Sequence, residues 1–189
     1  MQTTENTRAR LLAGAVDLFA ARGYEAVSVQ ELAEAGGVQK PTLYHFFGSK
    51  RGLLDAVLEH NFAALFAANG PALVYQRDLF PPLHAAALAQ FDFAAVRPAF
   101  YRLQLAAWFA QPESEIYQAV MPYHQQQQVH LEAFFQRAAQ DHGNMRGRHH
   151  AFALTYLGML NTYISIGLNR GERLDSGLAQ AAVRQFMHG

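Results

Sequence analysis

A chain of 189 residues, half of them hydrophobic, is long enough for one large or two small domains with a sizeable core. It has no cysteine, which excludes disulfides and thiolate metal sites and suits a reducing compartment. Fifteen Lys and Arg balance fifteen Asp and Glu, so the strongly basic footprint usual for a nucleic-acid binder is missing. The start, Met1-Gln2-Thr3-Thr4-Glu5, is polar and unlike a signal peptide. Apolar stretches are interrupted before a membrane-spanning length. These features predict a soluble, cytoplasmic protein with no membrane partner.

Residues from Thr4 to Arg22 predict helix one, with Leu11, Leu12, Ala15, Val16, Leu18 and Phe19 as its apolar stripe. Gly23 stops it, and Tyr24 can pack back on the last turn. Ser28 can cap a second, short helix, and Glu31 three residues on completes a capping box. Leu32 and Ala33 face inward. Gly36 and Gly37 end the helix in a tight turn, because glycine reaches left-handed backbone conformations. Lys40-Pro41-Thr42 opens a third helix, where proline is tolerated in the first turn. Leu43, Phe46 and Phe47 form its apolar face. Gln39, Lys40, Thr42, Tyr44 and His45 are left facing out. Two short helices joined in this way form a helix-turn-helix, whose outward side chains suit base edges and phosphates of DNA. The charge is only slightly uneven: +1 through Arg51 and −1 in the remainder. Its placement is more telling, because Lys40, Lys50 and Arg51 lie at helix starts that also favour phosphate.

Ala33, Gly37, the run Thr42-Leu43-Tyr44-His45-Phe46-Phe47 and Ser49-Lys50 together resemble the signature of TetR/AcrR-type transcriptional regulators. The resemblance covers about the first third of the chain. It implies a DNA-binding domain over residues 1–49 and a helical regulatory domain for ligand binding and dimerisation over residues 50–189. Tyr44, Thr42 and Lys40 would contact phosphates or bases, with His45 and Gln39 as further candidates. Ser28 and Lys50 would anchor phosphates at helix starts.

After Gly48-Ser49, a long fourth helix from Lys50 to about Ala68 carries Leu53, Leu54, Val57, Leu58, Phe62, Leu65 and Phe66 at helical spacing. Gly70-Pro71 ends it, and Leu73 to Asp78 has no clear period. Pro81-Pro82 opens helix five, from about Leu83 to Ala94. Arg97-Pro98 opens an aromatic helix six, reaching Phe109 or Ala110. Glu113 to Gln140 is mostly helical, with Pro122 marking a kink or a break. The run Gln125 to Gln128 reads as a solvated helix face.

The loop Asp141 to Gly147 precedes a nearly charge-free helix, Arg148 to Asn169, and Ser176 to His188 makes a last helix. Such apolar helices are either buried in one subunit or face a second copy. In the TetR family similar helices form a four-helix dimer bundle. That places Leu157, Leu160, Ile164, Leu168, Val183 and Phe186 at a homodimer interface.

The fold expected is therefore all-α, about nine helices. Aromatic residues of the larger domain can line a ligand cavity or simply pack a core. Phe62, Phe66, Tyr101, Trp108 and Tyr123 are the candidates, with His84, Gln104 and His124 as polar handles. Among the nine histidines no pair has the i, i+4 spacing of a metal-binding helix, and no nucleophile or phosphate-loop motif is present. No metal, no cofactor and no catalytic residue is expected. The reading is a dimeric repressor released from palindromic operator DNA by a small, largely apolar effector. One alternative is a DNA-binding protein of the same fold acting through a protein partner, without an effector. The other is a helical metal-dependent hydrolase.

Overall fold

The computed structural model describes residues 2–188, with side chains described from Thr4 onward; Met1 and Gly189, the outer limits of the expected domains, lie outside. Among these residues all regular structure is helical. It comprises α1 (Gln2–Arg22), α2 (Val29–Ala35), α3 (Lys40–Phe47), α4 (Lys50–Asn69), α5 (Phe80–Val96), α6 (Pro98–Trp108), α7 (Glu115–Ala138), α8 (His149–Arg170) and α9 (Ser176–His188). Short 3-10 turns follow α4 and α7. The all-α class and the count of nine helices match the sequence reading. Most helix ends shift by one or two residues, and two differences are larger. α5 starts three residues early, because Pro81 and Pro82 sit in a first turn whose N–H groups need no helical partner. α7 runs through Pro122 as one helix.

Contacts divide the chain into two compact units, Met1–Ala63 with Ala99–Pro122, and Ala64–Pro98 with Tyr123–Gly189. In the first, α1 lies against α2 at very short range. A Cβ on Gly14 would stand 2.9 Å from the Ala35 Cβ, and one on Gly36 only 2.4 Å from Leu11 Cδ2. Leu11, Ala15, Phe19, Leu32, Ala33, Leu43, Leu53 and Leu54 form the buried core of the helix-turn-helix. Farther along the same unit, Phe62 of α4 meets Phe100 of α6 edge-on at 5.2 Å.

In the second unit α5 is the central element, packed against α8 and α9. It is buried on most sides, as a helix apolar around its circumference must be. Phe134, Phe135, Phe152, Tyr156 and Phe186 make an aromatic cluster, with ring centroids 5.2–6.4 Å apart between neighbours. The Tyr156 hydroxyl donates to the Leu83 carbonyl, which satisfies a buried polar group. By length and composition α8 could cross a membrane, which the sequence reading did not anticipate. Its inner face instead packs Ala153, Leu157, Leu160 and Ile164 inside the subunit.

Candidate DNA-reading helix and helical cavity

The local chemistry that sets α2 and α3 is fully formed. Ser28 caps α2: its hydroxyl accepts the Glu31 N–H, while the Glu31 carboxylate accepts the Ser28 N–H at 2.8 Å. Arg22 pairs with the same carboxylate. That guanidinium, then the Ser28 backbone and hydroxyl donors, hold Glu31 down at about 2. The turn follows from two different glycines. Gly37 takes φ +64°, the left-handed region, and Val38 then donates back to the Ala33 carbonyl at 2.9 Å. Gly36 is right-handed and is required for space, as Leu11 occupies the place of its side chain.

α3 then presents an exposed face. Gln39, Lys40, Tyr44 and His45 are exposed, Thr42 is half-buried, and Leu43 is fully buried beneath them. Gln39 is the N-cap residue but makes no side-chain cap bond, so its amide is not committed there. Gly48 closes α3 at φ +72°. Ser49 caps α4 by accepting the Gly52 N–H at 2.9 Å. Gly52 is itself obligatory, since a Cβ there would meet the Phe47 carbonyl oxygen at 2.0 Å.

Lys50 is half-buried and already occupied. Its ammonium lies 4.2 Å from the Tyr24 ring centroid and donates to the Glu25 carbonyl at 3.4 Å. Tyr24 in turn donates to Glu115 at 2.5 Å, and burial first, then that carboxylate, raises the phenol well above its ordinary range. Sequence reasoning saw Tyr24 only as a residue packing on α1. The carboxylate it meets is 91 residues away, and no local pattern announces it.

The predicted ligand residues are divided between the two units. In the first unit Phe62, Tyr101 and Gln104 are buried, while Trp108 is 39% exposed. In the second, His84 stacks on Phe80 and its Nε2 lies 3.3 Å from the Ser176 carbonyl, so it joins α5 to α9. Tyr123 is half-buried, and His124 is buried, which pulls its imidazole down to about 4. Of the predicted set, Phe66 lines a cavity of about 330 Å³ between α4, α5, α7 and α8. Its walls are Phe66, Leu73, Ala86, Leu131, Ala133 and Tyr156. Asn69, Gln90 and Gln127 add three buried amides, and His130 and Arg137 are exposed beside them. The amides escaped the sequence reading, because a glutamine run gives no sign of which member turns inward. Gln127 does, and Gln125 and Gln126 do not.

The predicted interface residues Leu157, Leu160, Ile164 and Val183 are 4% exposed or less, inside the subunit. Leu168 and Phe186 are half-buried, Phe186 within the aromatic cluster. The outward face of α8 is made of other residues: Ala151, Leu154, Thr155, Gly158 and Thr162 are exposed or half-buried there. A side chain added at Gly158 would meet nothing within 4 Å. Alongside runs a shallow groove of about 640 Å³ bordered by Phe152, Met159, Tyr163 and Ile166. Among the described residues no three His, Asp or Glu side chains converge as a metal site would need.

The family model described as "Bacterial regulatory proteins, tetR family" matches residues 11–57. The HTH-type transcriptional activator FasR of Mycolicibacterium smegmatis is 38% identical over 99 residues, 52% of this chain and 45% of that protein. The HTH-type transcriptional repressor KstR2 of Rhodococcus jostii is 41% identical over 59 residues, 31% of this chain and 29% of that protein. These alignments thus span less than half the length of either curated relative. Solved structures extend the likeness to the whole fold. The TetR-family regulator PfmR of Thermus thermophilus superposes with a TM-score of 0.73 at 27% identity, covering 96% of both chains. The regulator FadR of Bacillus subtilis, in complex with stearoyl-CoA, gives 0.79 at 15% identity over 96% of this chain and 98% of that one.

Proposed function

We propose that the chain, which matches the tetR family model over residues 11–57 and superposes on a TetR-family regulator over 96% of its length, is itself a TetR-type regulator: a homodimeric, effector-responsive transcriptional repressor rather than an enzyme. The observation that carries this reading is the exposed face of α3. Gln39, Lys40, Tyr44 and His45 stand there together on a helix fixed by two glycine turns and a capping box. Donors and a cation on a rigid helix start are what phosphates and major-groove edges require. Functionally, residues 1–49 would read DNA, and residues 50–189 would bind the effector and the second subunit. The protein acts where the chromosome is, in the cytoplasm, and no membrane enters the reading.

The exposed small-residue stripe of α8 supports a dimer. An unshielded glycine in mid-helix costs about 1 kcal/mol against alanine, and close approach of a second copy gives it a use. The palindromic operator follows from the two-fold symmetry of such a dimer. The 330 Å³ cavity supports an effector over the alternative of a protein partner alone, because it is apolar with a few inward polar groups. α4 begins at Lys50 beside α3 and ends at Phe66 and Asn69 in the cavity wall. An effector bearing on its last turns therefore bears on the helix that follows the reading head. A tenfold loss of operator affinity needs about 1.4 kcal/mol of such coupling, and DNA must weaken effector binding by the same factor.

DNase footprinting over the intergenic DNA flanking the coding sequence tests this. Protection of an inverted repeat is expected. Uniform cleavage at micromolar protein and low salt would defeat the proposal.

A further inference from the structure

The effector-responsive reading leaves the effector's chemistry open, and the cavity narrows it; any ligand assigned to this cavity as effector rests on that reading. At the floor, Gln90 Oε1 receives both the Asn69 amide at 3.3 Å and the Gln127 amide at 3.5 Å. Both nitrogens are thereby turned toward Gln90. Asn69 Oδ1 is left buried with no hydrogen-bond partner, in a residue 8% exposed. A buried acceptor of this kind costs free energy, and a small turn of the Asn69 side chain is what brings it to a donor in the cavity. At the other end stands Arg137, exposed, whose guanidinium has no ion pair or hydrogen bond among the described residues. Its planar donor fork suits a carboxylate.

Gln127 and Arg137 are ten residues apart on α7, so about 15 Å along its axis. The arginine side chain leans back toward the N-terminus and shortens that span. Between the two ends the wall is apolar, with the His130 ring edge-on to Phe66 at 5.8 Å. A volume of 330 Å³ holds about eleven waters at about 30 Å³ each, which sets the size of a ligand.

We propose that this cavity takes a small hydroxylated carboxylate of about ten to twelve non-hydrogen atoms, its carboxylate on Arg137 and its hydroxyl donating to Asn69 Oδ1. The apolar body, an aromatic ring or a short branched chain, lies against Phe66, Leu131 and Tyr156. The orphan acceptor supplies discrimination: a ligand carrying methyl in place of hydroxyl leaves Asn69 Oδ1 unpaired.

The test is calorimetric titration with matched trios of hydroxyphenyl- and hydroxyalkyl-carboxylates. The simplest is 4-hydroxyphenylacetate, 4-methylphenylacetate and 4-hydroxyphenylacetamide. At least one hydroxylated carboxylate should bind below millimolar, and tenfold or more tighter than its methyl and amide counterparts. Arg137→Gln should remove the preference for carboxylate over amide, and Asn69→Ala the preference for hydroxyl over methyl. The ligand-side comparisons hold even where a variant folds poorly. Equal binding of neutral and charged members, a carboxylate preference that survives Arg137→Gln, or no binding by any trio at 5 mM would overturn the proposal. Operator binding measured with the same compounds separates the two readings. A compound that needs Arg137 and leaves DNA affinity unchanged defeats the regulatory reading alone. One that releases DNA and ignores Arg137 defeats this inference alone.

Discussion

Gly36→Ala tests how the reading head is held. The backbone at Gly36 is right-handed, φ −81°, so alanine meets no conformational penalty there. The penalty is contact. The new Cβ would stand 2.4 Å from Leu11 Cδ2 and 2.7 Å from Cγ, where carbon atoms prefer about 3.5–4.0 Å. Leu11 is 1% exposed, so its Cγ can swing clear only into packed neighbours. Overpacking of this kind costs about 1–3 kcal/mol, which for a chain of this size lowers Tm by about 2–4 °C per kcal/mol. Leu11→Ala alone should cost about 2–5 kcal/mol through the cavity it leaves. In the double variant the offending atoms are gone, so the combined loss should fall short of the sum of the two by about 1–3 kcal/mol. Gly37→Ala is the control. Its cost comes from φ +64° with nothing within 4 Å, and it should simply add to Leu11→Ala. Urea titrations of the single and double variants supply the numbers. Additivity of Gly36→Ala and Leu11→Ala within about 0.5 kcal/mol would refute the packing argument.

Gly158→Arg should leave the helical circular dichroism unchanged, because nothing in the subunit lies within 4 Å, yet yield monomers by sedimentation; an unaltered dimer would remove α8 from the interface. Leu160→Asp should instead unfold or precipitate, since that position is fully buried and an unpaired buried charge costs about 3–5 kcal/mol. His124, held down at about 4 against an ordinary 6.5, favours the neutral folded form. Its contribution is complete above pH 6.5 and lost as pH falls toward 4, a difference of about 3 kcal/mol at about 1.36 per unit. His124→Leu should flatten stability over that window, and an unchanged pH profile would show the imidazole to be solvated. Lys40→Ala should weaken DNA binding without a change in Tm, whereas Lys50→Ala should lower both, as Lys50 also bridges Tyr24 and the Glu25 carbonyl; equal Tm for the two variants would contradict that bridge.

The helix-turn-helix was legible because its determinants are local. Ser28 and Glu31 are three residues apart, Gly37 supplies a left-handed turn, and Leu43 to Phe47 have helical spacing. The length and apolar character of α8 and α9 were equally plain. Which side of each helix faces inward was not. Leu160 and Ile164 look interfacial in a helix with few charges, but α8 turns them into its own subunit and leaves Gly158, Thr155 and Thr162 on the outside. The polar side of the cavity was hidden for a similar reason. Its polar members, Asn69, Gln90 and Gln127, lie on three helices and meet only in the fold. Of the aromatic residues singled out from the sequence, Phe66 lines the cavity wall.

Duplex DNA read by α3 is the centre of the proposed function. Selection of random duplexes by the purified protein measures this, followed by salt titration of the enriched sequence with wild type and Tyr44→Ala. An enriched inverted repeat is expected, with tight binding that weakens steeply with salt. Tyr44→Ala should weaken binding with little change of slope, since a neutral phenol releases no counterion, whereas Lys40→Ala in the same titration should lose about one unit of slope per half-site. Failure to enrich any sequence, or a Tyr44→Ala variant with unchanged affinity, would contradict it.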